Sequence, residues 1–137
     1  MFVYDEIEAG TLTGKLRELL VQLDKWQDLI GKALDGAYGT HTYDDVVRMV
    51  LLNQVHFYDR GNCCIFMIVD TYPQHSNYHC FIACGDMQGI IDAEPLIRDN
   101  AKALGCKYMS ITGRTGWPRA LKEHGWKHQL STLFKEV

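Results

Sequence analysis

Apolar residues recur at spacings of three and four over residues 11–34: Leu12, Leu16, Leu19, Leu20, Leu23, Trp26, Ile30, Ala33 and Leu34. Lys15, Glu18, Asp24, Lys25 and Asp28 fall largely on other faces, so the pattern predicts an amphipathic helix. Gly31 weakens its last turn, and residues 35–40, Asp-Gly-Ala-Tyr-Gly-Thr, read as a loop. A second helix is predicted to open at Thr42. There the hydroxyl can accept from the third helical amide, and Asp44 and Asp45 suit the positive end of the helix dipole.

The period then shortens. Residues 54–58 predict a short strand, and Asp59-Arg60-Gly61-Asn62 a hairpin turn. Residues 63–72 are almost wholly apolar, as expected of a strand covered on both faces. Residues 73–77 turn the chain and residues 78–84 return it. Links this short imply antiparallel neighbours.

Helical spacing resumes over residues 89–104 through Ile90, Ile97, Ala101 and Leu104, with Pro95 tolerable only in the first turn. Gly105 stops that helix. A strand over 107–112, a short helix over 118–124 opened by Pro118, and a final strand over 126–134 complete the pattern. The predicted class is α/β: one domain over 1–137, with a mixed, mostly antiparallel sheet flanked by helices on both faces.

Composition narrows the partners. A net charge of -3 with scattered Lys and Arg argues against a non-specific nucleic-acid binder and against a polybasic membrane patch. No run approaches the roughly 18 apolar residues of a membrane span. The opening Met-Phe-Val-Tyr-Asp-Glu lacks the basic and apolar regions of a signal peptide. A cytoplasmic location is expected, with the five cysteines as reduced, buried thiols rather than a disulfide framework.

Several constellations could carry chemistry. Gly113-Arg114-Thr115-Gly116, leading to Trp117, lies between a strand and a helix start, where glycines allow close approach and Arg114 offers a bidentate fork. This is either an anion site or, the simpler reading, a tight connection whose arginine pairs with a carboxylate or serves an interface. His75, His79, Cys80 and Cys84 are potential zinc ligands by type. Their spacing fits no common finger, however, and strand alternation puts Cys80 and Cys84 on one face with His79 on the other; no metal is expected. Cys106 at a strand start reads as packing rather than as a nucleophile, since no base is paired with it. Trp117 and Trp126 bracket the short helix as its anchors to the sheet. Trp26, Tyr38 and Tyr43 are expected to pack in the core, the alternative being an exposed patch that binds another protein.

The order of elements, with a possible first strand over residues 2–7, resembles the GNAT N-acetyltransferase fold. The chain is more closely similar to small GNAT-like proteins of tailed phages and prophages. This resemblance is carried by Val69-Asp70-Thr71-Tyr72-Pro73, Cys84-Gly85-Asp86, Ala103-Leu104-Gly105-Cys106, Gly113-Arg114-Thr115-Gly116-Trp117 with Leu121, and the closing Leu133-Phe134-Lys135-Glu136-Val137. It implies an acetyl-CoA pyrophosphate loop at Gly85, Asp86, Met87, Gln88 and Gly89, if the protein is active. The basic residue that usually leads such a loop is missing, and Asp86 adds negative charge where a diphosphate would sit. The tyrosine that serves many relatives as general acid aligns with Leu121, which carries no proton.

The resemblance therefore implies a catalytically silent, virion-associated or assembly protein that takes no cofactor. Such a protein would reside in the host cytoplasm or virion, with phage structural proteins or its own copies as partners. The alternative is an N-acetyltransferase that uses acetyl-CoA on a host or phage amine, with Asp70 or Asp86 as general base.

Overall fold

The computed structural model describes residues 14–113 and 116–137. The strand expected over 2–7, and Arg114 and Thr115, lie outside the described residues. The first amphipathic stretch is two helices, α1 (Gly14–Lys25) and α2 (Gln27–Asp35), broken at Trp26. Its side chain is buried, and its indole Nε1 is one of two buried polar atoms without a partner among the described residues. The apolar stripe survives the break, since Leu23, Trp26, Ile30 and Leu34 all reach the core.

Helix α3 (Tyr43–Leu51) opens as its sequence predicts. The Thr42 hydroxyl accepts from the Asp45 amide at 3.2 Å, and the Asp45 carboxylate accepts from the Thr42 amide at 2.9 Å. This capping box satisfies two of the amides that a helix start leaves orphaned. The Asp45 carboxyl is held below its ordinary range, first by the Thr42 backbone amide and then by the Thr42 hydroxyl.

Strands β1 (His56–Asp59), β2 (Cys63–Thr71), β3 (Ser76–Gly85) and β4 (Tyr108–Ile111) form one sheet in sequence order. The first three are antiparallel and β4 runs parallel to β3. The crossover between β3 and β4 is α4 (Met87–Ala103), whose Ala93, Ile97 and Ala101 cover one face with Ile65, Met67 and Tyr78. Helices α1–α3 cover the other with Cys64, Phe66, Ile82 and Cys84.

Four sequence expectations are corrected. Helix α4 starts two residues earlier than predicted, because Asp86 caps it, so Pro95 lies inside the helix rather than in its first turn. Its missing amide costs the Ile91 carbonyl a helical bond, about 3 kcal/mol in an exposed helix interior, offset by the apolar face that α4 buries. Cys80 and Cys84 do not share a face. Phe66 pairs with Ile82 while Met67 pairs with Cys80, so Phe81 is an extra residue that reverses strand parity. The short helix is α5 (Trp117–Leu121) followed by a 3-10 turn, Lys122–His124. Finally, residues 126–137 form no strand. The His128 Nε2 and Ser131 Oγ meet at 3.1 Å, a contact that an extended chain, which sends those residues to opposite faces, does not allow.

Candidate functional site

The bulge at Phe81 coincides with a split in the sheet. β3 and β4 pair only from Asn77 with Tyr108 to Cys80 with Ile111, and β3 then runs on to Gly85 paired with β2 alone. Between α4 and α5, over that split, lies an apolar cleft floored by Met67, Cys80 and Met109 and walled by Ile90, Trp117 and Trp126. Its enclosed space is about 50 Å³, far below the roughly 300 Å³ at which small-molecule sites begin. Trp126 Nε1 donates to Glu94 Oε1 at 3.0 Å and ties the segment after α5 to α4. Leu121 is buried among the lining residues and offers no proton.

The turn entering α4 is built from contacts within the chain. Asp86 is the N-cap, and its carboxylate accepts the Gly89 amide at 2.9 Å. The Asp86 amide in turn donates to the Asn62 carbonyl at 3.0 Å. A Cβ on Gly89 would come within 2.5 Å of the Asn62 side-chain oxygen, and one on Gly85 (φ +101°) within 2.5 Å of the Asn62 carbonyl. Both glycines are thus required by the β1–β2 hairpin, which lies against them. Met87 and Gln88 are exposed, and Gln88 Nε2 donates to Asp92 Oδ1 at 2.8 Å.

A diphosphate cradle needs free amides and open glycine backbone at a helix N-terminus. Here the chain's own carboxylate holds one of those amides, and Asn62 covers the glycine. The residues at this turn do not fit the diphosphate of acetyl-CoA.

The other expected site residues are dispersed. Asp70 pairs with Asn77 beside the β2–β3 turn, whereas Asp86 lies beyond the far end of β3. Nine residues of strand separate the two ends, roughly 30 Å, so the two carboxylates do not serve one reaction centre. Gly116 is exposed and precedes a helix of five residues. The Trp117 ring lies against Gly113, where a Cβ would stand 3.0 Å from the indole nitrogen. His79 shares a hydrogen bond with Ser110 at 2.8 Å, and burial holds its ring pKa below the ordinary value against the opposing pull of Asp70. No group of three or more metal-ligating side chains is assembled among the described residues. Trp26 is buried and Tyr43 donates to Asp24 at 2.6 Å. Tyr38, however, is 73% exposed, contrary to the expectation that it packs in the core.

The sequence reading missed a polar chain under α4. Asn100 Nδ2 donates to Tyr58 Oη at 2.8 Å, the Tyr58 and Tyr78 hydroxyls meet at 2.7 Å, and Tyr78 Oη lies 2.7 Å from His56 Nδ1. An amide nitrogen only donates. Tyr58 thus accepts from Asn100, and the His56 tautomer sets which way the protons of the two remaining bonds point. The one signal in the sequence was the alternation of His56 and Tyr58 on a strand. It needed Tyr78, from another strand, to acquire meaning.

No family model matches this chain, and no curated protein does. Solved structures do. A possible acetyltransferase from Clostridium difficile superposes with a TM-score of 0.58 at 9% identity, covering 85% of this chain and 91% of that one. A protein from Thermus thermophilus gives 0.55 at 10% identity over 82% and 91%. A probable acetyltransferase gives 0.55 at 11% identity over 86% and 92%. At such identities the likeness establishes the fold, which is mixed α/β and GNAT-like.

Proposed function

We propose that this chain is a GNAT-like protein that does not turn over acetyl-CoA and works through protein contacts. The observation that carries this reading is the bond from the Gly89 amide to the Asp86 carboxylate, with Asn62 packed on the same glycine. A diphosphate at that turn would meet the like charge of the exposed Asp86 carboxylate, which opposes its binding. Contact with other proteins is supported by large exposed apolar side chains, including Leu130, Leu133 and Phe134. The resemblance to phage-encoded proteins makes a virion-associated or assembly component the form this function takes.

Calorimetric titration with acetyl-CoA tests the silent reading. No saturable heat is expected at millimolar cofactor, and single-site binding in the micromolar range would overturn it. Fractionation of assembled particles tests the assembly role: the protein should co-sediment with them, and its exclusion would remove that role.

One observation favours a second reading, an acetyltransferase with an atypical loop. The split between β3 and β4 opens onto an apolar cleft. That reading requires acetyl-CoA to raise the melting temperature, since a ligand specific for the native state stabilises it by mass action.

A further inference from the structure

We propose that this chain binds a small phosphate monoester joined to a flat aromatic ring, in the cavity between α5 with its 3-10 turn and the segment that follows Gly125. This site shares no residue with the turn entering α4, so it holds whether or not that turn takes a cofactor.

The cavity is open-mouthed, has a volume of about 450 Å³, and is lined by Pro118, Lys122, Gly125, Trp126, Lys127 and His128. That volume lies within the roughly 300–1,000 Å³ of small-molecule sites. The apolar cleft that Trp126 also lines, at about 50 Å³, does not reach it.

The charge around the cavity is one-sided. Lys122 and Lys127 are both exposed, and neither is in an ion pair among the described residues. Residues 118–128 hold three cationic side chains, Arg119, Lys122 and Lys127, against one carboxylate, Glu123, in a chain whose net charge is -3. No described carboxylate lines the cavity. A helix end repels anions through its free carbonyls. Here the Leu121 and Lys122 carbonyls are taken by the Trp126 and Gly125 amides, at 3.4 Å each, which reduces that repulsion. His128 adds an imidazole whose Nε2 lies 3.1 Å from Ser131 Oγ.

Two features select the ligand. A phosphate monoester carries about -1.5 to -2 charges at neutral pH, so it balances both ammonium groups, where a carboxylate balances one. Lysine serves phosphate as a point charge and needs no fixed fork. The ring is selected by Trp126. Its Nε1 is already committed to Glu94 at 3.0 Å. What the half-buried indole has left to offer is flat apolar surface, with Pro118 lining the same cavity. Stacking of a flat ring on an aromatic side chain is worth at least about fivefold in affinity.

NMR titration of the full chain with phenyl phosphate tests this. Saturable shifts of the amides of residues 122–128 are expected in the millimolar range or below. Inorganic phosphate, which lacks the ring, and phenol, which lacks the charge, should each bind at least about fivefold more weakly. K122E/K127E should weaken binding about tenfold or more with an unchanged melting temperature, because both side chains are exposed. K15E/K32E makes the same charge change on α1 and α2 and should bind like the wild type. Adenosine monophosphate and free phosphotyrosine identify the source of the ester: one of them should bind at least as tightly as phenyl phosphate. The proposal is overturned if phenyl phosphate gives no saturable shift, or if inorganic phosphate or phenol binds as tightly. It is also overturned if K122E/K127E binds like the wild type, if K15E/K32E loses as much as K122E/K127E, or if both natural esters bind more weakly than phenyl phosphate.

Discussion

The Asp86 carboxylate holds the Gly89 amide at 2.9 Å, and the Asn62 side chain covers the same glycine. The first turn of α4 is therefore closed by residues from two parts of the chain. D86A should lower stability by about 1 kcal/mol, the usual loss on removing an N-cap, and D86N by much less. G89A should cost about 1–3 kcal/mol through overpacking, and N62G should recover part of it. Urea unfolding of the two single variants and the double variant measures the coupling; additive losses would separate Asn62 from Gly89.

The chain from Asn100 to His56 makes Tyr78 a proton-bound element of the core. Burial first, and then the hydrogen bond shared with Tyr58, raises its pKa far above the ordinary 10.0. The fold thus favours the neutral phenol, while the unfolded chain releases that proton near pH 10. Stability from this group is complete below pH 10 and is lost as pH rises above it. Alkaline unfolding should accompany the last phenolate absorbance step, and Y78F should shift that transition upward in pH. At neutral pH Y78F should destabilise by about 1–3 kcal/mol, because His56 and Tyr58 lose a partner.

His79 gives a dependence at the acid end. Burial holds its pKa below the ordinary 6.5, and Asp70 acts in the opposite direction. The unfolded chain takes up the proton first, so the contribution of His79 is present above pH 6.5 and is lost as pH falls below it. NMR titration should find His79 titrating below 6.5 and lower still in D70N. A midpoint at or above 6.5 would remove this account.

The thiols should divide four to one. Cys63, Cys64, Cys80 and Cys84 are buried and Cys106 is partly exposed. Burial raises the thiol of Cys80 to about 12 and pushes up that of Cys106 as well. In the native protein a thiol-specific disulfide reagent should modify Cys106 slowly, and the other four only on unfolding. Fast reaction of more than one thiol would contradict the packing described.

What could be read from the chain alone depends on neighbours a few residues apart. The Thr42 cap lies within one turn of Asp45, the apolar stripe of α1 and α2 repeats along the local chain, and the short links from Asp59 to Asn62 and from Pro73 to Asn77 force antiparallel strands. Those local rules also made the fold class legible. Distant partners fix the rest. One extra residue at Phe81 reverses the parity of β3 and moves Cys80 to the opposite face from Cys84, an offset fixed by the Phe66 and Met67 pairings and invisible in strand alternation. Gly85 and Gly89 look like a phosphate loop in sequence, yet they are small because Asn62 packs on them. Residues 126–134 carry a strand pattern without a strand, because an edge strand takes its hydrogen bonds from a neighbour. Capping and periodicity are local energies; parity, close approach and pairing belong to residues that meet only once the chain has folded.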